Sequence, residues 1–300
     1  MISGELQLQG VIPPMITPLD EDERVDVASV HRVVAHMLKG GVGGIFALGT
    51  AGEGPAIREE ERGVLLEAVV GAVGGRVPVL AGCMTVSTQR ALDYAREAAD
   101  CGADAVVMTP PFYYGTEDQN VLLEHYTYLA DQSPLPVIMY NIPGMTHAFL
   151  EAETAAELGE REEIVAVKDS SADMEHLRRL IPLCEASGLK ILQGSERALI
   201  ESLELGVHGL VSASANVAPQ WFAALWDAFQ EGDMETVHAY DQKAAAYREG
   251  VYGQGYWLSC LKMAMNVLGL CQPVTTRPIP PVDAEQRERI RATLERVGLT

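Results

Sequence analysis

Basic residues are scarce in this chain. Its 300 residues carry 22 lysines and arginines against 42 aspartates and glutamates, a net charge of −20. A nucleic-acid binder needs a basic face to neutralise phosphates, and a chain this acidic, with only five lysines, argues against that class. An anionic membrane surface is disfavoured on the same ground. Long apolar runs are missing too. None reaches the roughly 18 residues of a membrane span, and the start, MISGELQLQG, lacks the basic-then-apolar order of a secretory signal. Cysteine is sparse: five residues, at 83, 101, 184, 260 and 271, with no CxxC pair. Neither a disulfide framework nor a zinc site is expected from that pattern, and a reducing cytoplasm is. The seven histidines form no HExxH or other close ligand pair.

What is present suits a well-filled core. The chain is 48% hydrophobic and 21% charged, which excludes disorder and fits one large domain or two small ones. One rhythm repeats along it. A short apolar run ends in Gly, Thr, Ser, Asn or Pro, and an amphipathic helical stretch follows. The runs are GVIPPMITP, GIFALGT, VPVLAGC, DAVVMTP, PVIMYN, EIVAVKDS, LKILQGS and GLVSASAN. Their ends lie near Thr17, Gly49, Cys83, Thr109, Tyr140, Lys168, Gly194 and Ser212, at intervals of 18 to 34 residues. Most of these match a strand, a helix and two short loops. Strands that are apolar throughout are buried on both faces, as in a parallel sheet covered by helices. Eight such units predict an α/β protein, a (β/α)8 TIM barrel over 1–216. An open doubly wound sheet is the runner-up. After Asn216 the rhythm stops, and residues 217–300 read as a C-terminal helical extension packed on the barrel.

Lys168 is the most informative residue. It follows Ile164, Val165, Ala166 and Val167 and ends the sixth strand, on the face where barrel active sites are built. Apolar surroundings disfavour an ammonium and lower its pKa from about 10.4, and a neutral amine can attack a ketone to form a Schiff base. The plainer alternative is a strand-end lysine that reaches solvent or pairs with Asp169. The other four, Lys39, Lys190, Lys243 and Lys262, read as ordinary. Tyr140 ends the neighbouring strand, where a phenol can relay protons or simply pack. GTAGEGP, Gly49 to Pro55, lies between a strand and a helix; its amides could hold an anion, or it is a turn without a ligand. It is neither GxGxxG nor a Walker motif, so nucleotide binding is weakly supported. TPPFYYG places three aromatics past the fourth strand, to line a pocket or cover the rim. His176 reads as a helix-surface residue.

In this order and spacing, GVIPPMITPL, GTAGE, YNIPG, VAVKDSS, GLVSASAN and RPIPP resemble the dihydrodipicolinate synthase / N-acetylneuraminate lyase family of class I pyruvate-dependent lyases, over essentially the whole chain. The resemblance implies Lys168 as the Schiff-base lysine and Tyr140 as the proton-relaying phenol. It implies that Thr50, with the amides of Thr50 and Ala51, holds the carboxylate of a 2-oxo acid. Tyr113, or Tyr114, matches an aromatic that enters a neighbouring subunit's site, and Val211 a position whose carbonyl faces the imine. Gly194 offers close backbone approach to substrate. It also implies a homo-oligomer, dimer or tetramer. Two departures stand out. Ala51 replaces a second threonine, and Met145 stands where the synthases carry a carboxylate-binding arginine. The second points toward 2-keto-3-deoxy sugar acids, with pyruvate and an aldehyde as partners. The imine is the electron sink, so neither metal nor organic cofactor is expected. The alternatives are the synthase, a dehydratase using the same imine, and a non-catalytic 2-oxo-acid binder.

Overall fold

The computed structural model describes residues 6–300. Eight strands run parallel: β1 (Gly10–Val11), β2 (Ile45–Ala47), β3 (Val79–Gly82), β4 (Ala105–Met108), β5 (Val137–Asn141), β6 (Ile164–Asp169), β7 (Lys190–Gln193) and β8 (Gly209–Leu210). Each pairs with its neighbour in sequence from β2 to β8, and β8 pairs with β1. The ring closes just past β1. Met15 N donates to Phe46 O at 2.8 Å, and Phe46 N donates to Pro13 O at 3.0 Å. The first run, predicted as a strand through to Pro18, keeps only two residues of regular strand. Pro13 and Pro14 have no N–H to donate, so the ladder with β8 stops there, and on its other side the run meets β2 as an isolated bridge between Pro14 and Phe46.

The intervening stretches are helices: α1 (Val27–Lys39), α2 (Glu59–Val73), α3 (Thr88–Asp100), α4 (Gln119–Gln132), the short α5 (Pro143–Thr146), α6 (Ala152–Leu158), α7 (Met174–Cys184) and α8 (Leu199–Glu204). Asp26, Asp118 and Asp173 each accept from an amide in the first turn of α1, α4 and α7, satisfying donors that have no partner within the helix. The helix α9 (Pro219–Glu231) packs against β1 and α1. It also packs on the helix that follows it. Then α10 (Met234–Tyr252), α11 (Trp257–Val267) and α12 (Ala284–Arg296) pack on one another. This is the (β/α)8 barrel with C-terminal helices. Among the described residues, no helix is long and apolar enough to cross a membrane.

Two apolar clusters follow from the two-residue period of the strands. The larger lies between strands and helices and takes Val137, Met139 and Val167. The smaller fills the barrel and takes Phe46, Leu80, Val107, Ile138, Tyr140, Ala166 and Leu192. Ala166 points inward, so Lys168, two residues on, does too. That alternation places its side chain over the barrel mouth.

Candidate active site

Tyr140 and Lys168 are register partners across β5 and β6. Lys168 is 4% exposed and Tyr140 2%. The Lys168 Nζ sits 3.8 Å from the centre of the Tyr140 ring and 4.9 Å from that of Phe46. Burial holds the ammonium below the ordinary lysine value, and the charge and hydrogen bond of Tyr140 oppose it only in part. Burial pulls Tyr140 the other way, upward. The Lys168 charge outweighs this, with hydrogen bonding to Lys168, Thr50 and Ser170, and the phenol ends below its usual value. A buried amine whose ammonium is disfavoured therefore stands beside a phenol whose ionisation that same ammonium favours. Thr50 Oγ1 lies 3.2 Å from Tyr140 Oη, so the hydroxyl chain continues into the GTAGEGP turn.

That turn is braced from several sides. Thr17 Oγ1 donates to Gly52 O at 2.5 Å, and the buried Arg62 reaches Gly54 O at 3.5 Å. Leu48 and Glu53 both adopt φ +56°, a left-handed conformation costing on the order of 1 kcal/mol each for a residue with a Cβ. Glu53 is held there by the extension. Its carboxylate accepts from Thr276 N at 2.6 Å and Thr276 Oγ1 at 2.8 Å and forms an ion pair with Lys262. Lys262, read as ordinary from the sequence, is fully buried. Every residue of α11 from Leu258 to Met265 is buried, so the helix has no wet face through which the lysine could escape. Its ammonium also donates to Val274 O at 2.6 Å. Among the described residues, no protein acceptor takes the amides of Thr50 and Ala51.

Asp169, next to Lys168, does not pair with it. Its carboxylate accepts from Asn141 Nδ2 at 2.7 Å and from Ser171 N and Oγ at 3.1 and 2.7 Å. Burial raises its pKa. His176 was expected on a helix surface. Instead it is 5% exposed on the inner face of α7, with Nε2 3.5 Å from Asp169 Oδ2 and its ring edge-on to Phe149. It shares that inner face with Leu177, Leu180 and Cys184.

A cavity of about 310 Å³ opens at the carboxyl ends of the strands. Seven of the residues singled out in the sequence line it: Lys168, Tyr140, Thr50, Ala51, Val211, Gly194 and Met145. Gly194 has no room for a side chain. An added Cβ would fall 2.0 Å from Ser170 Oγ, 2.9 Å from Asp169 O and 3.0 Å from Lys168 Cε. Tyr113 and Tyr114 lie outside the cavity, 76% and 79% exposed and packed edge-on against each other. Sequence reasoning missed the far wall. Glu196 and Arg197 follow β7, and Arg248, Tyr252 and Trp257 come from the extension. The alternation that places strand-end residues says nothing about which helical residues fold back over the barrel mouth. Among the described residues, no group of three or more His, Cys, Asp or Glu could hold a metal ion.

Comparison with known proteins covers nearly the whole chain. The sequence model of the dihydrodipicolinate synthetase family matches residues 7–297. An uncharacterized DapA-like lyase of Halobacterium salinarum is 37% identical over 99% of this chain and 97% of its own. A 4-hydroxy-tetrahydrodipicolinate synthase of Corynebacterium aurimucosum is 34% identical over 95% and 93%. Among solved structures, dihydrodipicolinate synthase from Bacteroides thetaiotaomicron superposes with a TM-score of 0.93 at 32% identity, over 98% of this chain and 100% of that one. YagE, a prophage protein of the dihydrodipicolinic acid synthase family from E. coli K12 in complex with pyruvate, gives 0.92 at 28%, over 98% and 99%.

Proposed function

The chain belongs to the dihydrodipicolinate synthetase family, and we propose that it is an imine-forming lyase in which Lys168 attacks the ketone of a 2-oxo acid. Family membership makes it an enzyme, a lyase of the class I aldolase type. The observation that carries the Lys168 assignment is the buried amine against the Tyr140 ring, at the mouth of a closed barrel.

The free nitrogen pair of Lys168 adds to the ketone carbon, and the carbinolamine loses water to give a protonated imine. In the cleavage direction, ionised Tyr140 takes the proton from the hydroxyl on C4. The C3–C4 electron pair flows into the imine, an aldehyde leaves, and an enamine remains. Protonation at C3 and addition of water then release pyruvate and regenerate the amine. Thr50 passes the proton onward from Tyr140. The amides of Thr50 and Ala51 fix the substrate carboxylate, which sets the geometry of attack. The imine supplies the electron sink, so this chemistry calls for no metal or organic cofactor.

The substrate proposed is a 2-keto-3-deoxy sugar acid, because Met145 replaces the arginine that the resemblance expects of synthases. The names of several relatives favour a second reading, 4-hydroxy-tetrahydrodipicolinate synthase. A homo-oligomer in which Tyr113 or Tyr114 reaches a partner's cavity is also proposed, from their exposure at the rim. Product analysis tests the reading. Pyruvate plus glyceraldehyde from 2-keto-3-deoxygluconate supports the aldolase. A dehydrated oxo acid indicates a dehydratase, and condensation of pyruvate with an aspartate-derived aldehyde indicates the synthase. Lys168→Ala should abolish whichever occurs. Turnover retained in that variant overturns the assignment.

A further inference from the structure

Arg248 has donors that the protein leaves unused. It lies on α10, its side chain 22% exposed, on the cavity wall that the extension supplies. Among the described residues its one ion pair is with Glu196, Nη1 lying 3.8 Å from Oε2, too long for a hydrogen bond. Among the described residues, no acceptor takes the buried Nη1. Glu196 is itself already occupied. It accepts from Ser212 Oγ at 2.6 Å, from Ser214 N at 2.7 Å and from Ser214 Oγ at 2.6 Å. Those bonds fix the carboxylate in place and leave the guanidinium beside it only partly satisfied. The buried Nη1 is sealed from the cavity beside Glu196; Nε and Nη2 take part in no hydrogen bond among the described residues, and through them a ligand that fills the cavity meets the guanidinium.

The surrounding charge points the same way. The charged residues lining this cavity are Lys168, Arg197, Arg248 and Glu196. Arg197 is exposed and makes no ion pair among the described residues. In a chain of net charge −20, this concavity is therefore one place with a local positive excess, even with the Lys168 amine neutral. The amides of Thr50 and Ala51 lie on the barrel side, and Arg248 lies on the extension side. A substrate held at one end by the turn extends toward the other.

We infer that Arg248, with Arg197, is a specificity-determining pair that receives an anionic group at the far end of the substrate, so that the preferred 2-oxo acid carries a second anion, carboxylate or phosphate, at its terminus. This deepens the imine-lyase reading and rests on it. The role of the arginine missing at Met145 is then taken from another element of the fold. A guanidinium suits it, since its planar fork matches a carboxylate or phosphate in pairs of hydrogen bonds.

The test uses three acids that differ only at the terminus. They are 2-keto-3-deoxygluconate with a hydroxymethyl, 2-keto-3-deoxyglucarate with a carboxylate, and 2-keto-3-deoxy-6-phosphogluconate with a phosphate. Each competes with labelled pyruvate for borohydride trapping, which reads occupancy whether or not the acid is cleaved. One charge-assisted contact implies that an anionic acid competes about 10- to 100-fold better than the neutral one. The arm that wins identifies the anion. In Arg248→Gln that preference should collapse toward parity, and Arg248→Lys should recover part of it. Equal competition by the three acids in the wild-type protein, or none, overturns the inference without any variant. So does a preference that survives in folded Arg248→Gln. If pyruvate itself gives no adduct, the imine reading fails instead, and the two failures are told apart.

Discussion

Replacing Gly194 with alanine tests how closely the cavity is built around the Lys168 stem. Ordinary contacts of a Cβ fall at 3.4–4 Å, and here the nearest atom is Ser170 Oγ at 2.0 Å. That overlap cannot be absorbed, so Ser170 must rotate away. Two contacts survive the rotation: Asp169 O at 2.9 Å and Lys168 Cε at 3.0 Å. The Asp169 carbonyl has little freedom, because it accepts from Gly194 N at 2.6 Å. The last methylene of Lys168 is then the part that gives. Overpacking of this kind costs about 1–3 kcal/mol of stability, while a displaced reacting group costs on the order of 100-fold in rate. The expected result is a folded protein, modestly destabilised in urea, that traps pyruvate about 100-fold more slowly. In Ser170→Ala/Gly194→Ala the first overlap is gone, so stability should recover relative to the sum of the two single changes. Trapping should stay slow, because the contact with Cε remains. A Gly194→Ala protein with wild-type unfolding and wild-type trapping would refute the reasoning.

Other perturbations reach other parts of the structure. Tyr140→Phe removes the groups that partly hold Lys168 up, so the rising limb of trapping rate against pH should move to lower pH, while carbon–carbon cleavage falls about 100- to 10,000-fold; an unmoved limb argues against the pairing. Lys262→Met leaves Glu53 buried and charged, with an expected loss of about 3–5 kcal/mol in urea unfolding and weaker pyruvate binding through the GTAGEGP turn; unchanged stability would show that the pair does not brace it. His125 is 7% exposed, with Nε2 3.3 Å from Thr109 O and Nδ1 2.8 Å from Thr88 Oγ1, and burial lowers its pKa from 6.5 to about 4. The unfolded chain binds its proton first, so stability falls as pH drops through that window, by about 3 kcal/mol at the acid end. In His125→Gln the fall of urea stability between these pH values should shrink accordingly, and an identical slope would contradict the burial argument.

Much of the barrel is legible because burial on both faces leaves a strong trace. The eight apolar runs each contain one of the eight strands, and at least one α-helix follows each of them. Lys168 and Tyr140 stand out because they are polar residues near the ends of apolar strands, and the two-residue alternation puts them on the inward face with Ala166 and Ile138. The first strand is harder to read, since Pro13 and Pro14 sit inside an apolar run and interrupt the ladder without interrupting the pattern. The helical residues are harder still. Lys262 carried a signal, a lone charge within the apolar stretch WLSCLKMAMNV, which in a helix buried all round demands a partner. That partner, Glu53, lies in a turn at the other end of the sequence. Arg248, in AAAYREG, reads as part of a solvated face. Only the packing of α10 over the barrel mouth turns it toward the cavity. His176 follows an N-cap aspartate, a position usually wet, and is buried because α7 lies directly against the β6 end that carries Asp169.

The central claim is that one nitrogen, that of Lys168, becomes covalently joined to the 2-oxo acid. Incubation with pyruvate and borohydride, followed by digestion and peptide mass mapping, addresses it directly. The expected result is irreversible inactivation, with a single reduced pyruvate on the peptide that contains Lys168 and none on Lys39, Lys190, Lys243 or Lys262. Inactivation without an adduct at Lys168, or modification confined to another of the five lysines, would contradict the account.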